Sequence, residues 1–224
     1  MEQDKIFEQD EGNNWFSRNK DYIINKKDND DIILKIIKKL NANISINSIL
    51  ELGCSNGYRL NNLKAIYPNA KIVGTDISND AVIDGKERYG LELYQSSISN
   101  FTYHNQFDLV IVNFVYHWVD RENIFKAISN TDNLIKDGGL LILGDFLPNN
   151  PQKRIYHHRP KENIYTYKLN YAKCFTSLNT YKILYNTVFN VNDINNKFIE
   201  PIESSNRGCC TVLKKDLYNY YIEG

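Results

Sequence analysis

Three sets of residues in this 224-residue chain have the types and spacing for chemistry. The first is Gly53-Cys54-Ser55-Asn56-Gly57, a small-residue turn directly after the apolar run Ile49-Leu50-Glu51-Leu52. Glycine lets backbone turn sharply and come close to a ligand. The second is Asp76, nineteen residues after Gly57, at the end of a second apolar run. A carboxylate there can accept hydrogen bonds from two ribose hydroxyls. Turn and carboxylate together describe a cleft for a nucleoside. The third set could move protons or hold an acceptor: His117 in Tyr116-His117-Trp118, Asp145 at the end of a later apolar run, and His157-His158-Arg159 among Tyr156, Tyr165, Tyr167 and Tyr171. Histidine titrates near neutrality, which suits a general base. Each of these has a plainer reading as a core, turn or surface residue.

The elements that must position them alternate. Ser48–Leu52, Ala70–Asp76, Leu91–Gln95, Asp108–Phe114 and Leu140–Gly144 read as strands, apolar on nearly every residue, as strands buried on both faces are. Tyr58–Ile66, Asn79–Tyr89 and Asn123–Ile135 read as the helices between them, and Asp137-Gly138-Gly139 as a turn. Such alternation predicts a parallel sheet covered on both faces, with binding at the carboxyl ends of the strands near the switch in strand order. Before it, Trp15–Tyr22 and Asp30–Leu40 are expected helices, joined to the first strand by Asn41–Asn47. After Phe146, Pro148–Thr166 reads as a long loop with three prolines, Tyr167–Leu178 as a helix, and Tyr181–Val191 with Cys209–Lys214 as an antiparallel edge hairpin.

Composition narrows the partners. Apolar residues make up 42% and charged residues 24%, ordinary for a globular protein, and the formal net charge is zero. A nucleic-acid partner would call for a basic excess. Lys26-Lys27 with Lys35, Lys38 and Lys39 is the nearest approach, and Asp28, Asp30 and Asp31 interrupt it, so it reads as a solvated helix face. Cys54, Cys174, Cys209 and Cys210 lack metal-ligand spacing, so no metal is expected and a reducing compartment is. No apolar run approaches membrane-spanning length, and the start Met1-Glu2-Gln3-Asp4 is acidic rather than signal-like. The expectation is a cytoplasmic monomer or homodimer with a small-molecule substrate, and no nucleic-acid or membrane partner.

Four motifs in order, Glu51-Leu52-Gly53-Cys54-Ser55-Asn56-Gly57, Gly74-Thr75-Asp76-Ile77-Ser78, Phe107-Asp108-Leu109-Val110 and Asp137-Gly138-Gly139-Leu140, resemble those of class I S-adenosylmethionine-dependent methyltransferases across residues 48–146. Ser55 replaces that family's usual central glycine. The resemblance implies an α/β, Rossmann-like seven-stranded mostly parallel sheet with strand seven antiparallel and helices on both faces. It implies a helical lid over 1–47, a methyltransferase domain over 48–224, and an acceptor-site loop and helix over 147–178.

For S-adenosylmethionine as cofactor the resemblance implies Gly53, Cys54, Ser55 and Gly57 under the methionine part, with Glu51 fixing the turn. Asp76 would hold the ribose, Ile77 would pack on adenine, and Ser96 or Ser97 would face the adenine amine. Asn113, with Phe114 and Tyr116, would line the sulfonium wall, and Arg18 would reach the cofactor carboxylate beneath a capping Tyr22. His117, His157, His158 and Asp145 are the candidate bases. Tyr116, Arg159 and Tyr171 are the candidate acceptor contacts, with Arg159 as an anion clamp. The expected reaction is methyl transfer to a small molecule, chiefly a hydroxyl of a sugar, nucleotide sugar or anionic metabolite. Some segments also resemble methyltransferases of bacterial surface-sugar biosynthesis. Two other readings stay open: a non-catalytic S-adenosylmethionine-binding protein on the same fold, and a nicotinamide-dependent oxidoreductase. Ser55 and Tyr58 argue against the second, because a pyrophosphate needs the close approach that a second glycine permits.

Overall fold

The computed structural model describes residues 3–27, 30–40, 45–192 and 203–224. Met1, Glu2, Asp28 and residues 41–44 of the expected connection lie outside the described residues. The sheet is built from β1 (Ser48–Leu52), β2 (Lys71–Asp76), β3 (Glu92–Gln95), β4 (Phe107–Asn113), β5 (Ile135–Phe146), β8 (Tyr181–Asn190) and β9 (Arg207–Lys215), in the order β3-β2-β1-β4-β5-β9-β8. β1 to β5 pair in parallel, and β9 runs antiparallel between β5 and β8. The chain winds outward one way from β1 and the other way from β4, so the switch in strand order lies between these two. A crevice opens above their carboxyl ends.

Alternation of side chains along each strand divides the core. Ile49, Ile111, Ile142 and Val212 pack under α3 (Ile32–Leu40) and α4 (Tyr58–Ile66), with Ile33, Ile37, Leu60 and Leu63 as the buried helix faces. Leu50, Leu52, Val110, Val112, Leu141 and Leu143 face the other way, toward α6 (Ile124–Asn133) and α7 (Ala172–Thr176). Glu51 is the polar exception on a central strand. It is fully buried, on the α3–α4 side.

Two expectations after β5 are corrected. Pro148–Thr166 is not wholly loop. β6 (Gln152–Ile155) pairs antiparallel with β7 (Tyr165–Lys168), and Lys153, opposite Tyr167, sets its ammonium 3.7 Å from the centre of the Tyr165 ring. Strands held by lysine–tyrosine contacts lack the apolar alternation that marks a half-buried strand. The helix expected over Tyr167–Leu178 shrinks to α7, because Tyr167 and Lys168 belong to the hairpin and Leu178 is exposed. Asp137-Gly138-Gly139 lies within the long β5 rather than ending before it.

The helix expected over Trp15–Tyr22 is longer than its apolar spacing indicated, whereas the one expected over Asp30–Leu40 begins at Ile32. α1 (Gln3–Ile6), a π-helical turn over Phe7–Glu11 and α2 (Gly12–Asn25) form one continuous arm. The arm is fastened at several points. The Gln3 side chain donates to the carbonyls of Trp118 (2.6 Å) and Tyr165 (2.8 Å) and accepts from the Tyr165 N–H. Asp4 accepts from the Asp120 N–H and the Asn123 amide, and Asn13 accepts from the Ser78 hydroxyl.

Candidate active site

The turn after β1 folds by backbone conformation. Gly53, Ser55 and Gly57 all have left-handed φ, at 74°, 52° and 75°. At Gly53 a Cβ would come within 2.3 Å of Val115 Cγ2, so glycine is required there by both space and conformation. Ser55 holds its left-handed φ with a side chain present, at a cost of about 1–2 kcal/mol relative to glycine. Gly53 and Cys54 N–H groups donate to the Thr75 carbonyl, which ties the turn to β2. Ser55 N–H donates to Asp76 Oδ2 at 2.7 Å, and Ser78 N–H to Asp76 Oδ1 at 2.9 Å. Ser78, not Asp76, caps α5 (Asn79–Tyr89) through its hydroxyl. Asp76 is left to fix the turn on one edge and face the crevice. Burial raises its carboxyl above the ordinary value, against the lowering effect of the Ser78, Ser55 and Ile77 N–H groups.

Beside the turn lies a buried charge network. Arg59, in the first turn of α4, donates through Nη1 to Glu51 Oε1, and through Nε and Nη2 to Asp31 at 2.9–3.2 Å. Asp31 caps α3, accepting from the Ile33 and Leu34 N–H groups. It also accepts from the Tyr58 hydroxyl and, at 3.2 Å, from Lys26 Nζ. Burial by itself would raise the Asp31 carboxyl. The charges of Arg59 and Lys26, with the Arg59 and Tyr58 hydrogen bonds, overcome this and hold it well below the usual carboxylate range. Glu51 goes the other way: burial lifts it to about 7 against the pull of Arg59, with Asp31 and Asp76 adding to the rise.

These groups enclose a cavity of about 430 Å³ at the carboxyl ends of β1, β2 and β4. Glu51, Gly53, Cys54, Ser55, Asp76, Ile77, Ser97 and Asn113, all expected from the sequence at the cofactor, line it. Gly57 does not line it and acts one step back, as the residue from which α4 starts. Glu51 Oε2, Ser55 Oγ and Asn113 Oδ1 are buried here without a hydrogen-bond partner among the described residues. Orphaned acceptors on a cavity wall fit a ligand that brings donors. An amino-acid ammonium and ribose hydroxyls are such donors, so the donor set of S-adenosylmethionine fits the residues present. The arm supplies the far wall through Asp4, Phe7, Gly12, Trp15, Asn19 and Tyr22. Lys26, Asp31 and Arg59 line it as well. The lysine run therefore does not read as a purely solvated face: Lys26 and Asp31 point inward.

The residues expected at the acceptor end are placed differently. His117 is buried, with Nδ1 2.9 Å from Asp145 Oδ1 and its backbone N–H 3.3 Å from Asp145 Oδ2. The rings of Phe114, Trp118 and Phe146 surround it at 4.8–5.9 Å, and it is not part of the cavity wall. Tyr116 points into the core, its hydroxyl 2.7 Å from Thr131 Oγ1, and Tyr171 is buried against it, donating to the Tyr116 and Tyr167 carbonyls. Their hydroxyls are therefore spent on interior partners instead of facing a substrate. His157 and His158 lie exposed in the turn between β6 and β7, off the cavity wall, because Tyr156 takes the inward position.

Arg159 and Arg18 meet on the arm. Glu11, almost fully buried, accepts from Arg18, from the Tyr156 hydroxyl at 2.7 Å and from Arg159 Nε at 2.6 Å, and Arg159 also pairs with Asp10 and Glu162. Arg159 thus straps the arm to the hairpin instead of clamping an anion, and Arg18 is turned to Glu11 and Tyr156 rather than to the cavity. Sequence reasoning missed Lys26, Asp31, Arg59 and Trp118 as cavity residues. The one local signal was Asp31 ahead of the apolar run Ile32-Ile33-Leu34, the pattern of a helix cap. Among the described residues no cluster of three or more His, Cys, Asp or Glu could hold a metal, and no helix is long and apolar enough to cross a membrane.

A family profile described as a methyltransferase domain matches residues 50–141. Malonyl-[acyl-carrier protein] O-methyltransferase 2 of Ilyobacter polytropus is 27% identical over 103 residues, covering 44% of this chain and 39% of that protein. Malonyl-[acyl-carrier protein] O-methyltransferase of Bacillus anthracis is 25% identical over 126 residues, 55% of this chain and 46% of that protein. The chain spans less than half the length of either relative. Among solved structures, a S-adenosylmethionine-dependent methyltransferase from Clostridium acetobutylicum superposes with a TM-score of 0.62 at 17% identity, covering 91% of this chain and 98% of that one. The N-methyltransferase NodS from Bradyrhizobium japonicum, solved with S-adenosyl-l-homocysteine, gives 0.57 at 14%, covering 84% and 90%. At such identities the structural likeness speaks for the fold. The matched domain over residues 50–141, the strand order and the motif-bearing turn together give the chain a methyltransferase domain on the fold of the class I S-adenosylmethionine-dependent methyltransferases.

Proposed function

We propose that this protein transfers a methyl group from S-adenosylmethionine to an oxygen of a small-molecule acceptor, and that the acceptor oxygen belongs to a carboxylate. The cavity at the strand switch carries the reading, lined by Asp76 and by Glu51, Ser55 and Asn113, each of the last three with a buried oxygen that has no hydrogen-bond partner among the described residues. When bound, the cofactor supplies a methyl group made electrophilic by its sulfonium. The protein's part is to hold and align. Asp76 would take the ribose hydroxyls, Glu51 the ammonium, and Asn113 the wall beside the reacting centre. The arm over residues 3–25 would exclude water as a lid, with the 147–178 excursion beside it as the acceptor side.

The carboxylate is favoured by what flanks the remaining space: Phe7, Ile77, Val115, Trp118 and Val119, with no histidine among the described residues that line it. A carboxylate is already an anion near neutrality and needs no base, whereas a hydroxyl does. The two O-methyltransferase relatives described above lend this support. A second reading, a hydroxyl of a sugar or nucleotide sugar, is favoured by the His117–Asp145 pair, since a carboxylate on Nδ1 leaves Nε2 as the basic nitrogen. A labelled methyl donor offered with a panel of carboxylic acids and a panel of sugars and nucleotide sugars tests both. With a carboxylate acceptor, His117→Asn in folded protein keeps kcat within about threefold; with a hydroxyl acceptor, kcat falls about 10²–10⁴-fold. Cofactor binding without product from either panel would instead favour a binding protein.

A further inference from the structure

The two carboxylates of the buried network are served unequally. Asp31 receives two backbone N–H groups, the Tyr58 hydroxyl, Lys26 and two nitrogens of Arg59. Glu51, equally buried and part of the cavity lining, receives one Arg59 N–H at Oε1, while Oε2 is buried without a hydrogen-bond partner. A buried carboxylate so poorly supplied is more stable protonated, whereas one so well supplied is more stable as the anion. The charged and titratable groups around Glu51 come from every element packed on it: Arg59 and Tyr58 from α4, Asp31 from the start of α3, Lys26 from the end of the arm, Asp76 from β2 and Cys54 from the turn. Both cations hydrogen-bond Asp31, and two of the neighbours are themselves carboxylates.

We propose that Glu51 carries a proton while no cofactor is bound and gives it up to solvent when the ammonium of the cofactor's amino-acid end arrives, with Arg59 as the positioning residue that keeps Oε2 turned to the cavity. This rests on the reading of the cavity as the S-adenosylmethionine site. The proton leaves Oε2 and the arriving ammonium then donates to the freed oxygen, so one charge is created as its partner docks. Lifting of the carboxyl to about 7 by burial agrees with this geometry. The sign follows: below that value binding must expel the proton and affinity falls, and above it the site is already ionised.

Calorimetric titration of the full chain with S-adenosylhomocysteine, in two buffers of different ionisation enthalpy at each pH, reads the proton directly. The expected result is release of about one proton at pH 6 and almost none at pH 8.5, with affinity about tenfold weaker at the lower pH. Glu51→Gln should bind without that release, and Arg59→Lys, which keeps the charge and loses the fork, should move the pH of half-release. Binding without proton exchange across the range, or wild-type release from Glu51→Gln, overturns the proposal. A wild-type release profile in Arg59→Lys overturns the role of Arg59. Should Glu51→Gln not fold, the infrared band of a protonated carboxyl decides: present in the free wild-type protein at pH 6 and lost on adding ligand, or the proposal fails. Absence of S-adenosylhomocysteine binding at every pH would instead sink the cofactor reading.

Discussion

Two of the buried acids that meet arginines differ in what they do, Glu51 on the cavity lining and Glu11 where the arm joins the β6–β7 excursion. At the cofactor end Glu51 shares Arg59 with Asp31 and keeps one oxygen unpaired. At the arm Glu11 accepts from Arg18, Tyr156 and Arg159, three donors from the arm itself and the β6–β7 excursion. The same ingredients give different devices. A carboxylate whose acceptor capacity is filled by its own chain holds two segments together; one left short of donors on a cavity wall is ready for a ligand. Location reinforces the contrast. Glu51 sits on a strand flanked by β2 and β4, whereas Glu11 closes a π-helical turn whose neighbours Glu8 and Gln9 are exposed.

The contrast can be broken from its cofactor side first. Arg59→Met leaves Asp31 and Glu51 buried without their shared cation, and the expected loss is about 3–5 kcal/mol in denaturant unfolding, enough to threaten folding. A loss within 1 kcal/mol would mean the network is not a structural hub. The next effect is in pH. The folded pKa of Glu51, about 7, lies above its unfolded value, so the stability tied to its protonation is full below that unfolded value and lost as pH rises through 7. Asp31 is depressed, so its contribution is present above its unfolded value and lost in acid. Glu51→Gln should therefore gain on the wild type by roughly 3 kcal/mol between pH 4.5 and 8, an upper figure from the size of the shift. A constant difference between the two proteins over that range would remove Glu51 as the titrating group.

At the other end, Arg159→Ala removes partly exposed bonds, so a loss of about 1–2 kcal/mol is expected, with faster proteolysis within the arm and unchanged denaturant sensitivity of the sheet. Equal loosening of β1 would contradict the separation drawn here. The smallest effect belongs to the turn. Ser55→Gly relieves a left-handed serine and should raise stability by about 1 kcal/mol at most, with cofactor affinity kept, as thermal unfolding and calorimetry would show.

What could be read in the sequence follows from what is local. β1 to β5, the turn and Asp76 were legible, because apolar runs and glycine spacing are written in neighbouring residues. Asp31, Arg59 and Glu51 were not, since α3, α4 and β1 bring them together only after folding, and an arginine at the start of a helix resembles any surface residue. The hairpin was hidden by polar strands. His157 and His158 carried the right chemistry by type, yet Tyr156 takes the buried place and leaves them outside. Arg18 and Arg159 were assigned to anions of a ligand and found those of Glu11 and Asp10.

β1 has one further consequence. It is hydrogen-bonded on both sides, to β2 and β4, and its side chains from Ile49 to Leu52 are wholly buried. Its amides can meet deuterium only when the whole sheet comes apart, whereas those of the Phe7–Glu11 turn need only a local swing of the arm. Ligand binding should therefore slow exchange in the arm by many times and in β1 by no more than the gain in global stability. On the proposed placement of the ammonium, Glu51 would be among the slowest reporters of the ligand's arrival, and the arm the fastest.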